Sequence, residues 1–193
     1  MTAPSLRTPG ERFSWRDYQT WPAETRWEII DGIAYAMSPA PSTRHQRVAG
    51  KLYAHFDRIL SGRGCTPFIA PTDVKLSEFD IVQPDILVVC DPAKIGESHI
   101  EGVPDVVVEI LSPATSAKDL REKKALYERA GVKEYVVVDP LEHYAMRFVN
   151  GEGGFDKGTV FGSDQMLTLA TLDGVEVPLW EVFGMAGPAG PNP

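Results

Sequence analysis

Three short runs constrain this chain more than any other feature: PDILVVC (84–90), PDVVVEIL (104–111) and EYVVVDP (134–140) are β-branched and almost continuously apolar. Strands of that kind are buried on both faces, which requires a sheet covered on both sides. The stretch between the second and third runs has helical spacing. A helical crossover of that length favours parallel pairing of the strands it joins. The expected class is therefore α/β with a mixed sheet.

The other elements fit around this frame. Ser14 is placed to cap a short helix through Tyr18. WEIIDGIAYAM reads as two strands joined at Asp31-Gly32, a dipeptide suited to a tight primed turn. From Thr43 to Leu60 the apolar residues Val48, Ala49, Leu52, Phe56, Ile59 and Leu60 recur at helical spacing, and Ser61-Gly62 ends the run. TPFIA and TDVKL, around Pro71, look like strands. A second helix is expected from Ser116, with Ser116 and Asp119 as a capping box and Gly131 as its stop. Weaker strand signals follow at 144–149, 155–161 and 166–170, with a short helix at 179–183. The 193 residues suit one domain, over 13–183, with flexible termini at 1–12 and 184–193.

No membrane partner is expected, since the apolar runs are of strand length and MTAPSLRTPG lacks the apolar centre of a signal peptide. Cys65 and Cys90 form neither a disulfide framework nor a metal clip, which points to a reducing cytosol and a cytoplasmic protein.

Taken whole, the net charge of −8 argues against a partner as anionic as nucleic acid. By segment it divides. Residues 44–63 carry Arg44, Arg47, Lys51, Arg58 and Arg63 against Asp57, a net of +4, while 73–109 carry nine carboxylates against two lysines, a net of −7. Either these are a solvated helix and acidic loops, or the carboxylates collect a cation and Arg44, Arg47 and Lys51 contact phosphate.

Glu109 lies within one of the buried strands, sharing a face with Asp105 and Val107. A carboxylate there needs a cation or hydrogen-bond donors. Asp85 opens a neighbouring strand, so the two acids suit Mg²⁺, with water and substrate phosphate completing its shell; a lysine partner for Glu109 is the alternative. On a helical wheel Leu120, Leu126, Tyr127 and Ala130 mark the apolar face. Lys123 falls near its centre, Asp119 lies one turn before it, and Lys124 is toward the edge. Lys123 then either meets an acid inside or extends its ammonium to solvent.

Pro84-Asp85, Glu109 and a following lysine resemble the PD-(D/E)XK nuclease superfamily. WEIIDGIAYAMSPAPSTRHQ, TDVKLS, QPDILVVC and PDVVVEILSPATSAKDLREKKALYERAGVKEYVVVDP resemble more closely the Uma-type family of restriction-endonuclease candidates, catalogued as a domain of unknown function. The resemblance spans roughly 13–183. It implies a restriction-endonuclease-like αβββαβ core with an N-terminal hairpin and a C-terminal β extension. It also implies an endonuclease dependent on Mg²⁺ or Mn²⁺, acting on nucleic acid (DNA foremost), and a homodimer. Asp85 and Glu109 would be metal ligands and catalytic, and Glu28 would complete the shell. The superfamily's E-x-K would put lysine at 111, where this chain has Leu111, so Lys123 is the implied substitute. His45, Asp73, Asp105 and Asp119 are accessory candidates. Two rivals remain: a silent nuclease-fold binding or regulatory protein, and a metal-dependent phosphoesterase of a small substrate.

Overall fold

Cross-strand register decides which side chains can meet. In the computed structural model, residues 12–22, 25–37, 41–113 and 115–188 are described. Most of the expected flexible termini, 1–11 and 189–193, lies outside them.

Helix α1 (Trp15–Tyr18) opens with a capping box between Ser14 and Asp17. Strands β1 (Trp27–Ile30) and β2 (Ile33–Ala36) form the expected hairpin, with Asp31 and Gly32 both at positive φ, as a primed turn requires. Helix α2 (Thr43–Leu60) starts where Ser42 accepts from the His45 amide and buries Val48, Leu52 and Phe56. β3 (Thr66–Ile69), β4 (Val74–Ser77), β5 (Asp80–Val82), β6 (Ile86–Val89), β7 (Ile100–Glu101) and β8 (Val106–Ile110) follow. After α3 (Ser116–Lys118), a π-helical turn (Asp119–Lys123) leads into α4 (Lys124–Ala130). Gly131, at φ 87°, ends that helix. The chain closes with β9 (Glu134–Asp139), β10 (Tyr144–Gly151), β11 (Gly154–Phe155), β12 (Thr159–Gly162), β13 (Met166–Leu169), β14 (Val175–Pro178) and α5 (Leu179–Phe183).

The central sheet runs β11-β10-β9-β8-β6-β3, with β12 beside β10. β6 is antiparallel to both β3 and β8, and β9 is parallel to β8 across the helical crossover, so the sheet is mixed. Together α2, β3, β6, β8, α4 and β9 make the αβββαβ core. A second sheet, β2-β1-β5-β4-β7, carries the hairpin.

Two apolar cores lie on the two faces of the central sheet. Val106, Val108 and Ile110 pack with α2, β13, β14 and α5. Val107 faces the other way, toward Leu126 and Tyr127 of α4 and the second sheet. Truncating a fully buried member such as Leu52 or Phe56 should cost about 2–5 kcal/mol.

Three expectations are corrected. Ser116 is the first residue of its helix rather than the cap, and Asp119 is buried beside Lys123 instead of closing a capping box. The signal at 155–161 resolves into β11 and β12, because residues 156–158 turn between them. Cys65 and Cys90 form a disulfide. The β3–β6 register, which pairs Thr66 with Val89, sets the two cysteines opposite each other, so their presence no longer points to a reducing cytosol. Among the described residues no helix is long and apolar enough to cross a membrane.

Candidate active site

The register that pairs Ile86 with Val108 sets Asp85 across from Glu109. Asp85 sits at the mouth of β6, where its Oδ2 accepts from the Ile110 amide at 2.8 Å. The His45 ring, on the first turn of α2, brings Nε2 to 3.1 Å from the same oxygen. Burial alone would lower the His45 pKa, but the Asp85 carboxylate outweighs it and holds His45 above its ordinary value. Among the described residues His45 Nδ1, which is buried, has no hydrogen-bond partner.

Glu109 is 3 % exposed. Its Oε1 accepts from Lys123 Nζ at 2.8 Å and from the Tyr127 hydroxyl at 2.7 Å. Lys123 also stands 2.8 Å from Glu28 Oε1 and 3.9 Å from Asp119 Oδ1. One ammonium thus faces three buried carboxylates, and they do not share it equally. Burial pushes Glu109 up to about 8 despite Lys123, and it raises Asp119 as well. Burial would also raise Glu28, but Lys123 and Lys118 together more than offset that and hold it below the usual range. Lys123 pays a desolvation penalty that would lower its pKa, yet Glu109 and Glu28 keep it firmly charged.

The turn between α3 and α4 produces this arrangement. Lys118 and Lys123 are five residues apart, a spacing that points to different faces of a regular helix. The π-helical turn brings both to one carboxylate: Lys118 Nζ lies 2.5 Å from Glu28 Oε2, and Lys123 takes Oε1. The Gln83 amide adds a third bond to Glu28. Such turns recur at functional sites.

Asp85, Glu109, Glu28, Asp119, Lys123 and His45 all line one cavity of about 580 Å³. Asp73 and Asp105 are engaged elsewhere. Asp73 accepts from Tyr18 and from Gln83 Nε2, while Asp105, at the far end of β8, pairs with Lys133 and accepts from the Cys90 amide. Arg44 and Arg47 line a separate hollow beside α5, and Lys51 donates to the Glu181 carbonyl of that helix. Lys118 and Arg26 went unnoticed in the sequence, where Tyr127 figures only as part of the apolar helix face and not as a partner of Glu109; the signal for Lys118, its spacing from Lys123, becomes legible only once the turn is known to be π-helical.

Among the described residues no three His, Cys, Asp or Glu side chains are close enough to hold a metal by themselves. Mg²⁺ does not need three, since one or two carboxylates with water and substrate phosphate suffice. The Asp85–Glu109 pair, set on adjacent strands and lining one cavity, fits that requirement.

A family profile described as "Uma2: Putative restriction endonuclease" matches residues 15–180. The chain belongs to the Uma2 family. Among similar proteins, the uncharacterised protein slr1290 of Synechocystis sp. is 31% identical over 144 residues, covering 72% of this chain and 74% of its own. A crystal structure titled as a "putative nuclease belonging to DUF820" from Anabaena variabilis superposes with a TM-score of 0.73 at 18% identity. The match covers 89% of this chain and 97% of that one. The Uma2 chain therefore has a restriction-endonuclease-like fold.

Proposed function

We propose that this Uma2 protein is a metal-dependent endonuclease that hydrolyses phosphodiester bonds of nucleic acid, DNA foremost. The observation that carries the reading is the convergence of Asp85, Glu109 and Lys123 on one cavity, set there by adjacent strands and a π-helical turn. Asp85 and Glu109 would hold Mg²⁺ or Mn²⁺. When bound, the ion would supply charge for the phosphate and a lowered pKa for water.

In the reaction a water oxygen bonds to phosphorus, the bond from phosphorus to one sugar oxygen breaks, and the water's proton leaves while the departing oxygen gains one. The protein's part is positional and electrostatic. Lys123, kept charged among its three carboxylates, would orient the water or offset charge building on phosphorus. His45, held toward its protonated form by Asp85, would touch phosphate. Glu28, with both oxygens given to lysines, holds Lys118 and Lys123 in position. Acting on nucleic acid, the protein would work in the cytoplasm.

The test is incubation of purified protein with plasmid, single-stranded DNA and RNA, in Mg²⁺, Mn²⁺ or EDTA. New ends should form with metal and not in EDTA. Cleavage that persists in EDTA contradicts the proposal.

A further inference from the structure

We infer that Arg26 is the phosphate-binding fork of the cavity, and that Asp73, acting through Gln83, sets its direction. The role rests on the nuclease reading above: Arg26 would touch the substrate's phosphate, and Gln83 and Asp73 would be positioning residues behind it.

The first observation is how the cations of the cavity are matched. Arg26, Lys118 and Lys123 all line it. Both lysines are already engaged by carboxylates: each stands against Glu28, and Lys123 also donates to Glu109. Arg26 differs. Its Nε donates at 2.9 Å to Gln83 Oε1, a neutral amide oxygen, and it forms no ion pair among the described residues. Its two terminal nitrogens have no hydrogen-bond partner among those residues either. With Nε taken, the remaining donors of a guanidinium sit on those nitrogens, in a geometry that matches two oxygens of a phosphate.

The second observation is what aims the fork. Arg26 lies two positions before Glu28, so strand alternation sets both on one face, and both line the cavity. Gln83 is buried. Its Nε2 donates to Asp73 Oδ1 at 2.7 Å and to the Tyr18 hydroxyl at 3.2 Å, while that hydroxyl donates to the same Asp73 oxygen at 2.8 Å. A carboxylate only accepts and a guanidinium only donates, so the amide can lie one way alone, nitrogen toward Asp73 and oxygen toward Arg26. A glutamate at 83 would repel Asp73 and neutralise Arg26; the amide does neither. Asp73, which is not part of the cavity lining, thereby gains a part in the site. The bond to Glu28 comes from the Gln83 main chain, so a change of side chain at 83 leaves it in place.

The test is equilibrium binding of a fluorescent 16-base-pair DNA duplex and of its single strand, at fixed Ca²⁺ and with KCl varied from about 50 to 200 mM. Circular dichroism checks each fold. Arg26→Ala and Arg26→Gln should weaken binding about 10- to 100-fold and make the logarithmic salt dependence shallower by about one. Arg26→Lys should restore the slope but only part of the affinity, since it returns the charge without the fork. Gln83→Leu and Asp73→Ala keep the Arg26 charge, so they should lower affinity about 2- to 10-fold, from lost preorganisation, with the slope unchanged. Folded Arg26→Ala and Arg26→Gln proteins with the wild-type slope overturn the inference, as does a wild type that binds neither probe. Gln83→Leu binding like wild type overturns the positioning step. Cleavage in Mn²⁺ is read separately: the expected slopes without metal-dependent cleavage remove the nuclease reading alone, and cleavage with unchanged slopes removes only this inference.

Discussion

Lys123 Nζ donates to Glu109 Oε1 at 2.8 Å inside the protein, yet the two do not form a simple ion pair. The same ammonium serves Glu28 at the same distance, and Glu28 keeps its charge while Glu109 is driven toward its neutral form. At the centre of the cavity Lys123 and Lys118 keep Glu28 ionised, while burial leaves the Glu109 carboxyl poised near neutrality and raises Asp119 as well.

The balance makes a prediction about Lys123. Lys123→Ala leaves buried Glu28 with Lys118 alone and should destabilise the protein by about 3–5 kcal/mol. Adding Glu28→Gln should recover part of that loss, a coupling of about 0.5–3 kcal/mol in a double-mutant cycle. Urea unfolding midpoints of the four proteins measure it. Strictly additive losses would show that the two side chains do not depend on each other.

Glu109 predicts a pH dependence. Its ordinary value is 4.5 and burial pushes it up to about 8, so the folded protein holds this proton more tightly than the unfolded chain does. The group's contribution to stability is present in full below about 4.5 and is lost as pH rises through about 8. Glu109→Gln removes that loss while keeping an oxygen for Lys123 and Tyr127. Its melting temperature relative to wild type, in EDTA, should climb between pH 5 and 8. A difference that stays flat or falls over that range contradicts the assignment.

The same proton bears on metal binding. For Glu109 to act as a ligand it must release that proton, so Mn²⁺ affinity should rise by up to about tenfold per pH unit between 6 and 8, with about one proton released. Titration calorimetry in two buffers of different ionisation enthalpy reads both quantities. Affinity independent of pH, or unaffected by Glu109→Gln, would remove Glu109 from the ligand set.

Much of this was legible in the sequence because the signals were local. The runs around Val88, Val107 and Val137 are apolar enough to mark the central strands, and alternation along β8 places Glu109 on the face toward α4. Helical spacing put Lys123 inside and Lys124 at the edge, and Lys124 indeed lies over the Phe148 ring. Strands β5 and β7 were not legible, being three and two residues long and partly polar, Asp80–Val82 and Ile100–Glu101. Nor was the disulfide, because two cysteines 25 residues apart meet only through the β3–β6 register. The bond from Lys118 to Glu28 spans 90 positions and depends on a local departure from α-helical spacing that no periodic template contains.

The central claim is that Asp85 and Lys123 belong to one metal-dependent centre for phosphodiester cleavage. Single-turnover cleavage by wild type, Asp85→Ala, Lys123→Met and Lys124→Ala, with Mn²⁺ and each fold checked by circular dichroism, tests it most directly. The predicted result is a loss of at least about a hundredfold for Asp85→Ala and Lys123→Met, with Lys124→Ala within about threefold of wild type. Wild-type rates from a folded Asp85→Ala protein would contradict the account.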